Sequence, residues 1–266
     1  MNQLIRYVDS LGLGKTIYDG NFLVTLVFAL LFLLWHRHNY HLSKKLGLIL
    51  FGIFVSLSVL LSMILSWIVS GFSIFGPSDY LRTFIFNPLI CLLAAKVQKM
   101  RVGVVLDVMT PTMLVLHGVG HIACPFLGCC VGISCSWGIW NPVVDEFVFP
   151  TQWLITLIAL SAAVMIVRFE KRNDYEGSGR SYPIMLVSYG SVRFFVEFLK
   201  YEGTRYLGVT RMAIQSILMV LVGVVWLFTL EEIKRENNRK AEHNRQSRRI
   251  YSPQRASTGY PKEDKV

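Results

Sequence analysis

The sequence predicts an all-α integral membrane protein with about seven transmembrane helices, its N-terminus outside and its C-terminus in the cytoplasm. Three observations carry that prediction: a low charge content, seven long apolar runs, and an uneven distribution of lysine and arginine between the connecting loops. Of 266 residues, 53% are hydrophobic and 17% charged, against about 25% charged in soluble domains. The mean hydropathy is +0.47.

A helix that crosses the hydrocarbon needs about 20 mostly apolar residues. Seven stretches qualify: 21–36, 47–74, 83–95, 103–120, 151–167, 182–199 and 211–230, of which 83–95 is short and carries Asn87-Pro88. The first 20 residues interleave Arg6, Asp9, Lys15 and Asp19 with apolar positions. A secretory signal would need an uninterrupted apolar core behind a basic start, so none is expected here.

Loop charge sets the orientation. The loops after the first, third and fifth spans carry Arg37, Lys44 and Lys45; Lys96, Lys99 and Arg101; and Arg168, Lys171, Arg172 and Arg180. Loop 121–150 has no lysine or arginine, and the segment Lys234–Lys265 holds ten basic residues. The net charge of +10 is thus largely a cytoplasmic retention signal, which excludes nucleic-acid binding as its purpose. Residues 1–232 are expected to form one polytopic membrane domain. Residues 233–266, with almost no large apolar side chains, are expected to form a basic tail, disordered or loosely helical.

Ionisable groups inside a span cost about 2.5–3.5 kcal/mol on insertion scales, so each is a functional candidate. In "YGSVRFFVEFLK" (189–200), Tyr189, Arg193 and Glu197 recur every four residues and share a helix face. Two readings stand: a structural ion pair, or a fixed guanidinium presented to an anionic lipid head group, with Glu197 orienting it or acting as a base. In "LDVMTPTMLVLHGVGHIAC" (106–124), Pro111 interrupts the helix. His117, His121 and Cys124 share a face beyond it, where a histidine can serve as base or phosphate-binding cation.

"GHIACPFLGCCVG" (120–132), with Cys135 beyond it, places Cys124, Cys129, Cys130 and Cys135 in a C-x4-CC-x4-C array on the extracytoplasmic side. Zinc favours pairs two to four residues apart, and neighbouring cysteines ligate one ion poorly, so neither a metal nor a cofactor is expected. Disulfides are permitted outside the cytoplasm and at least one is expected, with three pairings open. Small packing residues are the other reading, supported by Gly118, Gly120, Gly128 and Gly132. His36, His38 and His41 lie in a basic loop and are expected to be solvated.

Taken in order, "GHIACPFLGCCVG", "FPTQWLITL" (149–157), "YGSVRFFVEFLK" and "GVTRMAIQSIL" (208–218) resemble the prolipoprotein diacylglyceryl transferase family. That family has a glycine-rich signature with an arginine, then Pro-Thr-Gln opening a helix, then Tyr-Gly-x-x-Arg-Phe-x-x-Glu. The resemblance covers about residues 105–230. It implies a seven-span enzyme of the bacterial plasma (inner) membrane, multi-pass, whose partners are phosphatidylglycerol and the lipobox cysteine of a prolipoprotein. Arg193 and Glu197 fall on the family's arginine and glutamate, Tyr189 on its tyrosine and Gly132 on the closing glycine. Tyr18 matches a family tyrosine near the first span.

Three positions depart from the pattern. His121 stands where the family has its first arginine, and Cys124 where it has asparagine or, in the Gly-Cys-Cys branch, cysteine. The stretch 83–90, "TFIFNPLI", lacks the family's histidine. The resemblance implies catalytic roles for Arg193, Glu197 and His121. It implies substrate contacts for Tyr189, His117, Cys124, Gly132 and Tyr18. The alternative is a non-enzymatic or thiol-redox membrane protein that keeps the scaffold as a lipid-binding module.

Overall fold

The computed structural model describes residues 1–69, 80–173, 176–201, 205–206 and 209–251. Positions 70–74 of the second expected span, Gly208 of the last quoted motif and residues 252–266 of the tail lie outside them. All seven predicted spans are helical: α2 (Gly14–His36), α3 (Lys44–Val69), α4 (Tyr80–Val97), α5 (Val102–Gly120), α7 (Thr151–Asn173), α8 (Ser181–Val196) and α9 (Arg211–Tyr251). Two further helices, α1 (Asn2–Ser10) and α6 (Cys124–Leu127), lie outside that set. Among the described residues, five helices are long and apolar enough to cross a membrane, and Phe84–Val97 is a shorter apolar helix. This is a multi-pass membrane protein.

The chain divides into two compact units, Met1–Leu227 and Phe228–Val266. In the second unit the helix continues to Tyr251, so the start of the expected tail is helical.

In the first unit α5 is the shaft. Every residue from Val105 to Val119 is buried, because α2, α4, α7 and α8 pack around it. Its neighbours expose large apolar side chains instead, among them Leu23, Phe28 and Leu31 on α2 and Leu157 and Met165 on α7. In lipid such faces are solvated, so helices associate through close packing and polar contacts, not through escape from water. Gly118 shows the close packing. A Cβ there would stand 3.2 Å from Ala159 Cβ on α7, and across the same contact Thr156 Oγ1 donates to Gly118 O at 2.8 Å.

One end of this bundle is tied by a buried polar cluster. Asp107, fully buried, accepts from the backbone N–H of Gly179 at 2.9 Å and of Ser181 at 3.1 Å. It thereby satisfies donors that the start of α8 would otherwise leave orphaned. Glu170 on α7, 2% exposed, accepts from Tyr40 Oη at 2.8 Å and from Ser181 Oγ. His36 Nε2 lies 3.6 Å from Glu170.

His36 is therefore buried, not solvated as its basic flanks indicate, whereas His38 and His41 are exposed. The cause is helical phase: α2 runs on to His36, which carries that ring onto the inward face.

At the other end of the bundle, loop 121–150 is structured. Strands β1 (Ser134–Asn141) and β2 (Glu146–Val148) pair antiparallel, and α1 lies on them through Ile5 and Val8. Asn2 both donates to Gly138 O and accepts from Trp140 N, and the Arg6 guanidinium sits 4.1 Å above the Trp140 ring. The membrane part is all-α as expected. The small sheet was not foreseen, nor was a second one, β3 (Arg205–Tyr206) with β4 (Val209–Thr210).

Asp107→Ala should strand both α8 amides, at about 1–3 kcal/mol for each buried donor left unpaired. The thermal midpoint of the detergent-solubilised variant should fall clearly below wild type, as read by tryptophan fluorescence. An unchanged midpoint would show that the cap contributes nothing.

Candidate active site

The cysteine array is shaped by the chain around it. α5 ends at Gly120, and a short 3-10 turn (His121–Ala123) leads into α6. The turn is braced by Asn21 on α2, which donates to the carbonyls of Val119 and Gly120. Gly128 ends α6 with φ +71°, and Cys130 follows at φ +54°. These two left-handed residues fold Cys129 and Cys130 back over α6.

The start of α7 then clamps them. Thr151 Oγ1 donates to Cys130 O and Gln152 Nε2 to Cys129 O at 2.7 Å. Gly132 closes the loop against residues 149 and 200: a Cβ there would stand 2.1 Å from Phe149 O, and Gly132 bridges to Lys200. Glycine is required at 132 for lack of space.

All five cysteines are free thiols, so the expected disulfide is not formed. Cys124 is buried, and Cys129, Cys130 and Cys135 are half-buried. Hydrogen bonds from the Cys124 and Cys129 thiols hold the Cys130 thiol well below the usual cysteine range.

Beside the loop stands the charged group read from the sequence. Arg193 and Glu197 are buried, 4% and 7% exposed, and form an ion pair through Nη1 and Oε1. Glu197 also takes Lys200 Nζ at 3.1 Å on Oε1 and Thr210 Oγ1 at 3.1 Å on Oε2. Both carboxylate oxygens of Glu197 are thus engaged, Oε1 by two cations and Oε2 by a hydroxyl.

Rings line the other flank. His117 and His121 lie with centroids 4.5 Å apart, His117 and Tyr189 5.5 Å apart, and Phe84 meets both His117 and Tyr189 edge-on. The Tyr189 hydroxyl and Gln152 Oε1 are buried without a hydrogen-bond partner among the described residues. His121 Nδ1 lies 2.9 Å from His117 O. A carbonyl can only accept, so Nδ1 carries the hydrogen and Nε2 presents its lone pair.

The fold thus gathers Arg193, Glu197, Tyr189, His117, His121 and Cys124 at one end of the bundle. Tyr18 lies within electrostatic reach of Cys124, Cys129 and Cys130, and Gly132 supports the loop. Sequence reasoning assigned no role to Lys200, Thr151, Gln152 or Thr210. Lys200 was detectable from its place three residues after Glu197, and Thr151 and Gln152 lie in the quoted Pro-Thr-Gln element. Thr210 comes from a separate segment, and nothing in the sequence ties it to Glu197.

A family model described as prolipoprotein diacylglyceryl transferase matches residues 45–229, well over half the chain. The chain belongs to that family. The phosphatidylglycerol–prolipoprotein diacylglyceryl transferase 2 of Clostridium perfringens is 26% identical over 136 residues, covering 48% of this chain and 52% of the relative. The chain therefore spans about half the length of the curated relative it matches. Within this family member, the matched region contains all of α5, α7 and α8 and every residue of the charged cluster.

Mass spectrometry after alkylation in denaturant and chelator, without reductant, should find all five cysteines modified. Any cysteine protected until reductant is added would restore the disulfide reading.

Proposed function

We propose that this chain transfers a diacylglyceryl group from phosphatidylglycerol to the lipobox cysteine thiol of a prolipoprotein, at the outer face of a bacterial plasma membrane. The proposed topology has seven spans, with the N-terminus outside and the C-terminus cytoplasmic. The observation that carries the reading is the Arg193 guanidinium, held by Glu197 beside a second cation and an unpartnered tyrosine hydroxyl at the outer end of the helices.

The reaction needs positive charge where the leaving group develops negative charge. The acceptor sulfur attacks the terminal glyceryl carbon that bears the phosphate, and a C–S bond forms as the C–O bond breaks. The departing glycerol phosphate takes the electron pair of that bond, and the thiol gives up its proton. Arg193 spends one nitrogen on Glu197, and the rest of its planar fork suits a phosphate. Lys200, on the same carboxylate, adds a second positive charge. Glu197 fixes both cations and is better cast as a positioning group than as the base. Tyr189 Oη supplies a hydrogen bond to the lipid head.

A small, mostly apolar recess lined by Phe22, Leu26, Phe54, Val59, Phe84 and Leu116, among others, marks the side chains along which acyl chains would lie. Phe84 belongs both to its wall and to the ring cluster around His117 and Tyr189, so lipid tail and head group would meet at this ring.

In cells depleted of their own transferase, the wild-type chain should restore thioether lipidation of a lipobox reporter. Arg193→Ala should abolish it at unchanged membrane levels, and Arg193→Lys should lose at least tenfold because the planar fork is gone. Full activity of Arg193→Ala would remove this mechanism. For topology, a reporter fused after Asn173 should read cytoplasmic and one inserted at Asp145 extracytoplasmic. Both on one side would end the seven-span arrangement.

A further inference from the structure

His121, Cys124 and Cys130 offer ligand atoms that all lie within 4.8 Å of one another. Donors around a tetrahedral zinc, at about 2.0–2.1 Å for nitrogen and 2.3 Å for sulfur, stand about 3.5–3.8 Å apart. Modest side-chain rotation would close the set. The array's linear spacing argues against a metal, but the trio does not rely on the adjacent pair. The left-handed turn at Gly128 and Cys130 returns Cys130 to Cys124, and His121 joins from the turn that ends α5.

Two further features fit a metal. The His121 Nδ1–H is already given to a backbone carbonyl, the outer-shell contact that orients a ligating imidazole and leaves Nε2 for the ion. The carbonyls of Cys129 and Cys130 are pinned by Gln152 and Thr151, which preorganises the loop that carries the third ligand.

From this geometry we infer that His121, Cys124 and Cys130 bind a zinc ion with three protein ligands and leave its fourth position open to the acceptor thiol. Two thiolates and one imidazole form a ligand set used by catalytic zinc, and three ligands with one open position distinguish such sites from closed structural ones. Hard ions such as calcium or magnesium would find no oxygen ligand in this trio.

The ion's work follows from its charge. A thiol bound to zinc loses its proton, which passes to water, and the resulting thiolate is the nucleophile. Its lone pair forms the C–S bond while the glyceryl C–O bond breaks toward the phosphate. This assigns the thiol-activating role that Glu197, with both oxygens already engaged, is poorly placed to play. The metal site stands on its own geometry, whereas its use by the acceptor thiol rests on the transferase reading.

The full-length chain, purified in detergent from zinc-supplemented cells and dialysed against metal-free buffer, should retain one zinc per chain by plasma mass spectrometry. Cys124→Ser and Cys130→Ser should each lose it, while Cys135→Ser, outside the trio, keeps it. Should the serine variants fail to accumulate, cobalt substitution of the unmutated chain decides. Thiolate-to-cobalt charge transfer with intense tetrahedral d–d bands is expected, and a lipobox peptide bearing cysteine, but not its serine counterpart, should shift those bands.

Absence of zinc and of cobalt–thiolate bands would overturn the site. Bound metal whose bands ignore the cysteine peptide would overturn the open position and leave a closed structural site, with Cys129 as the obvious fourth ligand. Arg193→Ala, which should abolish transfer, should retain its zinc. Wild type that binds zinc but fails to lipidate the reporter would count against the transferase reading and not against the metal site.

Discussion

A guanidinium near the end of a membrane helix is the constraint around which one half of the helix bundle is arranged. Arg193 lies four residues before Glu197, and both are buried. Removing either partner would leave an uncompensated charge in a medium of low dielectric, a loss that runs to several kcal/mol in buried pairs. The pair therefore needs further partners, and the fold supplies Lys200 from the turn after α8 and Thr210 from β4. Fixing Lys200 also fixes Gly132, its backbone partner. The electrostatics of one side chain thereby determines where the cysteine loop can close.

The opposite end of the same helices follows a similar logic with different chemistry. There the buried charges are carboxylates: Asp107 answers the backbone donors of α8, and Glu170 answers hydroxyls from Tyr40 and Ser181. From Asp107 to His121 along α5 is 14 residues, a rise of about 21 Å at 1.5 Å per residue. The two polar clusters are thus separated by much of the hydrocarbon thickness. Between them α5 is sealed by its neighbours, with Gly118 allowing α7 to come close. A bundle held at both ends in this way can carry an asymmetric, partly open site at one end without depending on that site for its stability.

The sequence made the helices legible, because runs of apolar residues in lipid have few alternatives to a helix. Arg193, Glu197 and Tyr189 were legible for the same reason: in a span, polar residues stand out and their four-residue spacing gives a common face. His36 was misread because its basic flanks suggested a solvated loop, whereas it is the last residue of α2 and its ring is buried. Loop 121–150 gave no strand signal, since "SCSWGIWN" mixes small, polar and aromatic residues and β1 is stabilised by its partners α1 and β2. The cysteines were judged by linear spacing, yet their proximity is set by two left-handed residues, and positive φ at Cys130 is not something its residue type announces.

The departures of this chain from the pattern it resembles are best understood together, because in space they are one place. His121 stands where an arginine is expected and Cys124 where asparagine or cysteine stands, and the two side chains face each other across the ligand trio with Cys130. The missing histidine of 83–90 belongs to the same neighbourhood, where Phe84 instead presses its edge on His117 from α5. Here the first arginine is replaced by an imidazole whose Nδ1–H is already bonded to His117 O, among thiols that polarise one another. Positive charge for a phosphate remains with Arg193 and Lys200, both anchored on Glu197. The imidazole and thiols gain affinity for a soft cation that an arginine in the same position would repel. On the proposed reading, what changes between pattern and chain is the means of handling the sulfur, while Arg193 and Lys200 keep positive charge at hand for a phosphate.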